Sequence, residues 1–285
     1  MNFEEQDFKT PGPTLRVARG APGGPPLVFL HGVMRRWQDF SPIFPSVAAR
    51  WEVFALDFRG HGASERAVGR YRVVDYVEDA VALLRTQAGG PAVVYGHSLG
   101  AMVAAAAAAE APDLVRAVVL EDPPFETMGS RIRRTPFLGF VQGMRELIEK
   151  GLTGLELVDA LRELRFGAPG GPVMRLGDVR DASALRFAAS CLARIDPAVL
   201  EPIIEGRWLE GYDVEGILGA IRCPAMVLQA DGAVGGMLTD ADAEMAERML
   251  PDCLRIRFEK VGHLIHWADV PGLLRHLIAL LESMR

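Results

Sequence analysis

The chain has 285 residues, of which 49% are hydrophobic and 24% are charged. This composition is typical of a folded globular protein and excludes a disordered chain, and the length suits one large α/β domain with an insertion. The formal net charge of −6 lacks the basic footprint that nucleic-acid binding requires.

The N-terminal segment and the cysteines indicate where in the cell the protein is found. Residues 1–7 are acidic and lack the apolar core of a signal peptide. No uninterrupted apolar stretch reaches the roughly 18 residues of a membrane span. Cys191, Cys223 and Cys253 are odd in number and widely spaced, which favours reduced thiols over disulfides or a zinc site. We expect a cytoplasmic protein that needs no metal or cofactor and binds neither membrane nor nucleic acid. The sequence leaves open whether the protein forms a homo-oligomer.

Short apolar runs alternate with helical patterns through residues 1–123. The runs that predict buried strands are residues 27–30, 53–57, 92–95 and 117–120, and the stretches that predict helices are residues 73–84 and 101–109. Two further strands, at 225–228 and 254–258, precede a C-terminal helix at 271–283. Strands that alternate with helices indicate parallel βαβ units, so we expect an α/β fold with a mostly parallel, doubly wound sheet.

Between residues 124 and 218 this alternation stops. The segment has no strand-like run and carries amphipathic helical patterns at 137–149, 154–164, 183–192 and 197–207, interrupted by the Gly- and Pro-rich stretch 167–172. Because strands resume after it, we expect a helical cap inserted over the active-site end of a core formed by residues 1–123 and 219–285.

The sequence Gly96-His97-Ser98-Leu99-Gly100 lies between the 92–95 strand and an alanine-rich helix. A G-x-S-x-G motif at such a junction is typical of a nucleophilic serine on a sharp turn, where glycines allow strand and helix to approach. The helix start also offers free N–H groups to a developing negative charge. The alternative is a small-residue turn that happens to contain serine, and we favour the nucleophile.

A nucleophilic serine requires a histidine base. His263 follows the 254–258 strand, and a histidine on such a loop can reach the nucleophile turn and accept its proton. His266 lies three residues further on, and we rank it lower because it enters the packed helical segment. The alternative for His263 is a structural histidine.

These motifs, in this order, resemble the α/β-hydrolase superfamily, in its capped branch with a serine nucleophile. The residues that carry the resemblance are His31-Gly32, the run from Asp57 to Ser64, Gly96-His97-Ser98-Leu99-Gly100 and Gly262-His263. The resemblance implies an oxyanion hole formed by the backbone N–H groups of Val33 and Leu99. We expect His31 to orient its loop and not to act as a base.

The triad acid departs from the commonest pattern of this superfamily. Members usually carry an aspartate nine residues after the proline that opens the seventh strand, and counting from Pro224 gives Ala233. Two candidates remain, Asp231 on the same loop and Asp122 at the end of the preceding strand. The position of Asp122 resembles that of the acid in branches such as haloalkane dehalogenases and zearalenone lactonases, which place it after strand six. We favour Asp122 and keep Asp231 as the alternative.

A serine at position 98 argues against dehalogenation and epoxide hydrolysis, because haloalkane dehalogenases and epoxide hydrolases need an aspartate nucleophile. Serine directs the reaction to acyl transfer, so we expect a carboxylic ester hydrolase that cleaves a small ester or lactone through an acyl-serine. The alternatives are a C–C-bond hydrolase, a cofactor-free haloperoxidase-like enzyme or a non-catalytic ligand-binding scaffold. Candidate substrate-binding residues are Met34, Trp37 and Phe125, each of which could equally be ordinary packing.

Overall fold

In the computed structural model, which describes residues 3–284, the predicted alternation of strands and helices is confirmed. The strands are β1 (Glu4–Lys9), β2 (Thr14–Arg19), β3 (Pro26–Leu30), β4 (Glu52–Asp57), β5 (Ala92–His97), β6 (Val115–Glu121), β7 (Arg165–Phe166), β8 (Met174–Arg175), β9 (Ala225–Ala230) and β10 (Cys253–Phe258). The α-helices are α1 (Phe44–Val47), α2 (Val73–Thr86), α3 (Leu99–Glu110), α4 (Phe137–Glu149), α5 (Gly154–Glu163), α6 (Leu176–Val179), α7 (Ala182–Leu192), α8 (Glu201–Glu205), α9 (Val214–Ala220), α10 (Asp240–Met249), α11 (Ile265–Ala268) and α12 (Val270–Ser283). Short 3₁₀ helices span Trp37–Phe40, Pro112–Leu114, Phe125–Thr127, Ile132–Arg134, Pro197–Leu200 and Gly232–Val234.

Eight strands form one sheet in the order β1-β2-β4-β3-β5-β6-β9-β10. The six strands from β4 to β10 in this order are parallel to one another, and the β1–β2 hairpin adds two antiparallel strands at one edge. Since the parallel strands end at the same edge of the sheet, the loops after β3, β5, β6 and β10 can converge there.

The parallel strands bury side chains on both faces. Along β5, Val94 packs in one hydrophobic cluster together with α2 and α3, whereas Val93 and Tyr95 pack in a second cluster together with α1 and α12. This alternation gives one apolar layer on each side of the sheet. The alanines of α3 are almost all buried, which lets this helix lie close to β5 and β6.

The β1–β2 hairpin was not predicted. Only Phe8 of β1 is buried, and the rest of that strand is polar and largely exposed. Arg16 of β2 pairs with Glu5 and Asp7 across the hairpin. Edge strands with charged side chains lack the apolar run that identifies a buried strand.

The segment from 124 to 218 is mainly helical, with two corrections to the sequence prediction. It contains a small antiparallel pair of strands, β7 and β8, in which Phe166 lies opposite Met174. These two-residue strands are too short to give an alternating pattern. The predicted helix at 197–207 is also broken into a 3₁₀ turn and the short α8, which ends at Gly206 with a positive φ of 80°.

The helical segment lies against loops at the carboxyl edge of the sheet. The Arg36 guanidinium, after β3, donates to the Ser190 hydroxyl at 3.2 Å, and the Asp196 N–H donates to the Gly60 carbonyl, after β4, at 2.8 Å. This placement fits a cap, although the division into core and cap stays a prediction. Among residues 3–284, no helix is both long and apolar enough to cross a bilayer.

Candidate active site

Ser98 lies on a sharp turn between β5 and α3. Its backbone has φ 56° and ψ −117°, a positive-φ conformation that costs a non-glycine residue on the order of 1–3 kcal/mol. A Cβ on Gly96 would overlap the Gly100 carbonyl, and one on Gly100 would overlap the Leu30 carbonyl. Both glycines are therefore required by close backbone approach, and the turn holds Ser98 at the carboxyl edge of the sheet.

His263 and Asp122 form a hydrogen bond between two loops at this edge. The distance from His263 Nδ1 to Asp122 Oδ2 is 2.6 Å. The Asp122 side chain is fully buried and also accepts the backbone N–H groups of Ala230 (3.1 Å), Met237 (2.8 Å) and Leu238 (3.1 Å). A carboxylate fixed by three amides holds the imidazole with Nδ1–H toward it, which leaves Nε2 as the acceptor.

Asp231, the alternative acid, has other partners. Its carboxylate accepts the Lys260 and Ala233 N–H groups, each at 2.9 Å, and these bonds lower its pKa. It therefore closes the turn after β9. The structure brings Asp122, and not Asp231, to His263.

Within residues 3–284, Ser98 is not hydrogen-bonded to His263, although the residue before it contacts that histidine. The ring of His97, next to Ser98, lies 4.6 Å from the His263 ring, and His97 Nε2 contacts the His263 carbonyl oxygen at 2.9 Å. A serine–histidine bond is often long in an unliganded site and shortens when substrate binds. Ser98 is 4% exposed, so the site is well shielded from solvent.

The loop after β3 packs directly on the Ser98 turn. A Cβ on Gly32 would lie 2.9 Å from His97 Nδ1 and 3.2 Å from the Ser98 Cβ. Val33 follows Gly32, and Leu99 begins α3. Within residues 3–284, neither the Val33 nor the Leu99 amide donates a hydrogen bond, so both remain available to a ligand atom.

Two neutral histidines hold that loop. His61 Nε2 accepts the N–H of Met34 at 3.2 Å and its Nδ1 contacts the Arg59 carbonyl at 3.0 Å. His31 Nε2 likewise accepts the Phe58 N–H at 3.1 Å. Burial lowers the pKa of His61 to about 4 and that of His31 to about 3. Both rings are therefore neutral at physiological pH, as their role as acceptors requires, and His31 orients its loop as predicted.

The three predicted substrate-binding residues lie in different surroundings. The Trp37 ring packs against Phe3 and Phe44, with centroids 5.4 and 6.2 Å away, in the hydrophobic cluster that contains α12. Met34 and Phe125 pack in the other cluster, with α3, and Phe125 is almost fully buried. Their part in binding stays a prediction.

The sequence interpretation missed a group of four ionisable residues beside the site, three of them fully buried and one partly buried. We call Arg35, Asp39, Glu121 and His266 the buried charge cluster. His266 Nδ1 lies 2.8 and 2.9 Å from the Glu121 carboxylate oxygens, and its Nε2 lies 3.3 Å from Asp39 Oδ2. Arg35 pairs with Asp39. Their positions in the sequence could have indicated two of these residues, because Glu121 directly precedes Asp122 and His266 follows His263 by three residues.

The cluster stabilises its charges against burial. Burial alone would lower the pKa of His266, but the Glu121 and Asp39 carboxylates raise it to about 9. Burial likewise opposes the charge on Asp39, yet Arg35 and His266 hold its pKa well below the usual range. Burial also opposes the charge on Glu121, and His266 lowers the pKa of this carboxyl group. At neutral pH the four members carry two positive and two negative charges.

Comparison with known proteins supplies a family and several relatives. Residues 25–166 match the family of the α/β hydrolase fold. The pimeloyl-[acyl-carrier protein] methyl ester esterase of Chromobacterium violaceum is 32% identical over 265 residues, 89% of this chain and 94% of that protein. The 2-(acetamidomethylene)succinate hydrolase of Mesorhizobium japonicum is 42% identical over 116 residues, 40% of this chain.

The second of these alignments is partial, since it spans only 41% of the M. japonicum hydrolase. The crystal structure of an E-2-(acetamidomethylene)succinate hydrolase nevertheless superposes along the whole chain. Its TM-score is 0.77 at 22% identity, and the match covers 99% of this chain and 100% of that one. At this identity the likeness shows a shared fold, and the named relatives are hydrolases.

Proposed function

Because the chain belongs to the α/β-hydrolase fold family, we propose that it is a serine hydrolase which cleaves a small carboxylic ester or lactone through an acyl-serine intermediate. The observation that carries this proposal is the 2.6 Å contact between His263 and Asp122, at the same sheet edge as the strained Ser98 turn. A serine, a histidine and a buried carboxylate in these places are the parts of a catalytic triad.

The first half-reaction forms the acyl-enzyme. Ser98 Oγ attacks the carbonyl carbon of the substrate while His263 Nε2 takes the hydroxyl proton. Asp122 holds Nδ1–H and stabilises the imidazolium that results. The carbonyl oxygen becomes an oxyanion, which the Val33 and Leu99 amides bind, each such donor being worth about 3–4 kcal/mol of barrier. The C–O bond to the leaving alcohol then breaks, and His263 returns the proton to that oxygen.

The second half-reaction removes the acyl group. Water attacks the acyl-serine carbonyl, and His263 takes a proton from that water. The same amides bind the second oxyanion before the bond between Ser98 Oγ and the acyl carbon breaks and His263 returns its proton to Ser98 Oγ. In a lactone the leaving hydroxyl stays attached to the acyl chain, so the product is one hydroxy acid.

An ester is the first choice of substrate, because the C. violaceum relative, which aligns along most of the chain, is named for methyl ester hydrolysis. An amide is the second candidate, since the M. japonicum relative is named for an acetamido compound. The same residues suffice for both, but an amide needs His263 to protonate a poorer leaving group.

A substrate panel tests the proposal. It contains p-nitrophenyl acetate and butyrate, a γ-lactone, a methyl ester and an N-acyl amide. We expect turnover of at least one ester or lactone, and a loss of roughly 10⁴-fold or more in Ser98→Ala. Ser41→Ala, which changes an exposed serine bonded only to the Gln38 carbonyl, is the matched control and should retain full activity. Equal turnover by Ser98→Ala and the wild type would contradict the mechanism.

A further inference from the structure

The buried charge cluster contacts the Ser98 backbone and the two segments that carry Asp122 and His263. The Glu121 carbonyl accepts the Ser98 N–H at 2.9 Å, and Glu121 is followed directly by Asp122. The Glu121 carboxylate accepts the backbone N–H of His266 at 3.0 Å, which anchors the loop that carries His263. The buried carboxylate of Glu121 therefore contacts the loop that carries His263, and Glu121 itself lies at the strand end that carries Asp122.

The ring of His266 is hydrogen-bonded to one carboxylate through Nδ1 and faces a second carboxylate through Nε2 at ion-pair distance, without a hydrogen bond. Its Nδ1 faces Glu121, whose second partner is the Tyr95 hydroxyl at 2.6 Å. Its Nε2 faces Asp39, which is fixed by Arg35 and by the Trp267 indole N–H at 3.0 Å. All ring atoms are fully buried. The imidazolium is thus a bridge between the loop after β3 and the end of β6.

A metal ion bound beside His266 is the alternative to a proton on this ring. Asp39, His97 and His266 present one ligand atom each, and these atoms lie within 4.8 Å of one another. With the proton on His266 the four members of the buried charge cluster are neutral overall. Replacing that proton by a divalent cation would leave a buried net charge of +1, which is costly to desolvate. The charge balance therefore favours the proton.

We propose that His266 is a positioning residue, whose imidazolium bridges Glu121 and Asp39 and thereby sets His263 at hydrogen-bonding distance from Asp122. This inference rests on the proposed serine hydrolase function. A merely structural histidine would affect only folding stability. A positioning residue also affects the geometry of the His263–Asp122 bond and the rate of the chemical step.

The His266→Gln variant separates the two roles. We expect kcat to fall roughly 10- to 100-fold with KM nearly unchanged. We also expect the downfield ¹H NMR resonance of the His263–Asp122 hydrogen bond, identified by its loss in His263→Ala, to shift or broaden. Tyr212→Phe is the matched control, because it removes a buried 2.8 Å hydrogen bond to the Met102 carbonyl outside the cluster. It should lower stability and leave that resonance in place.

The pH dependence of kcat/KM gives a signed readout. His266→Gln leaves Asp39 and Glu121 opposed only by Arg35, so a proton on His263 is favoured and the acid limb moves up by roughly 0.5–1 pH unit. Glu121→Gln removes the negative charge that faces Tyr95 and His97. A proton on His263 is then less favoured, so the acid limb of the profile moves to lower pH. Shifts of opposite sign support the proposal. Two unshifted profiles with an unchanged resonance and kcat would overturn it.

Measurements on the wild type keep the test valid if a variant does not fold. The His266 ring should stay protonated in an NMR titration up to pH 8, and titration below pH 7 would overturn the proposal. One equivalent of Zn²⁺ should leave the His97 and His266 resonances unchanged, and a stoichiometric shift would make the place a metal site instead. These readouts need no substrate, so they stand apart from a failure of the proposed hydrolase function.

Discussion

His263 and His266 lie three residues apart, and each is bonded to a carboxylate at the end of β6, but their surroundings differ. The His263 side chain is 13% exposed and contacts one carboxylate through Nδ1. The His266 side chain is fully buried and faces a carboxylate at each ring nitrogen. The first arrangement leaves Nε2 free to take a proton, whereas the second favours the protonated ring.

The difference shows that a carboxylate partner does not by itself make a histidine a base. A catalytic histidine needs one nitrogen fixed and the other accessible to a reacting atom. Two facing carboxylates raise the pKa of His266 to about 9, so its proton stays bound at the pH where a base must release it. The two histidines can thus share one strand end and serve different purposes.

The largest expected effect comes from the carboxylate at His263. Asp122→Asn keeps the shape of the side chain but disturbs the bond that holds Nδ1–H, so we predict that kcat falls roughly 10³-fold or more with folding retained. Steady-state kinetics with circular dichroism as a folding control measure this. A loss of less than tenfold would mean that Asp122 is not the triad acid.

The second prediction concerns the cation at His266. Its folded pKa of about 9 lies above the ordinary value of 6.5, and the groups that face it are Glu121, Asp39 and His97. Its contribution is fully present below pH 6.5 and is lost as the pH rises through about 9. The free energy of unfolding should therefore fall by about 3 kcal/mol between pH 6 and pH 10.

Urea denaturation at both pH values measures that fall, and His266→Gln is the control, because its decline should be smaller by this amount. An equal decline in the two proteins would show that His266 is not a buried cation.

Gly32 probes the contact between the loop after β3 and the Ser98 turn. Gly32→Ala places a Cβ 2.9 Å from His97 Nδ1 and 3.2 Å from the Ser98 Cβ, so His97 or Ser98 must move. We predict a roughly 10- to 100-fold loss of kcat/KM with a small change in Tm. Gly90→Ala is the matched control, since a Cβ there meets nothing within 4 Å. Equal activity of the two variants would show that the site tolerates the displacement.

The smallest expected effect is at Asp231. Asp231→Asn disturbs the two bonds to Lys260 and Ala233 and touches no proposed catalytic group, so kcat should change roughly tenfold or less. Compared with Asp122→Asn under the same assay, this variant sharpens the distinction between the two carboxylates. A larger loss than in Asp122→Asn would reverse the assignment of the acid.

Much of the fold was predictable, because five of the six parallel strands are buried on both faces and are apolar runs, and the sixth, β10, alternates apolar and basic residues. The Ser98 turn was also predictable, since its two glycines are required by local backbone contacts. The choice between Asp122 and Asp231 could only be ranked, because it depends on which strand end the His263 loop reaches. The pairing of Asp39 with His266 joins residues far apart in the chain, and no local pattern specifies it.

The proposed acyl-serine mechanism is tested most directly by labelling with a fluorophosphonate, which phosphonylates an activated serine. Mass spectrometry of the intact protein and of its peptides gives the stoichiometry and the modified residue. The account predicts one label per chain at Ser98, and labelling at least 100-fold slower in Asp122→Asn. No labelling of the folded wild type, or labelling at another serine, would contradict it.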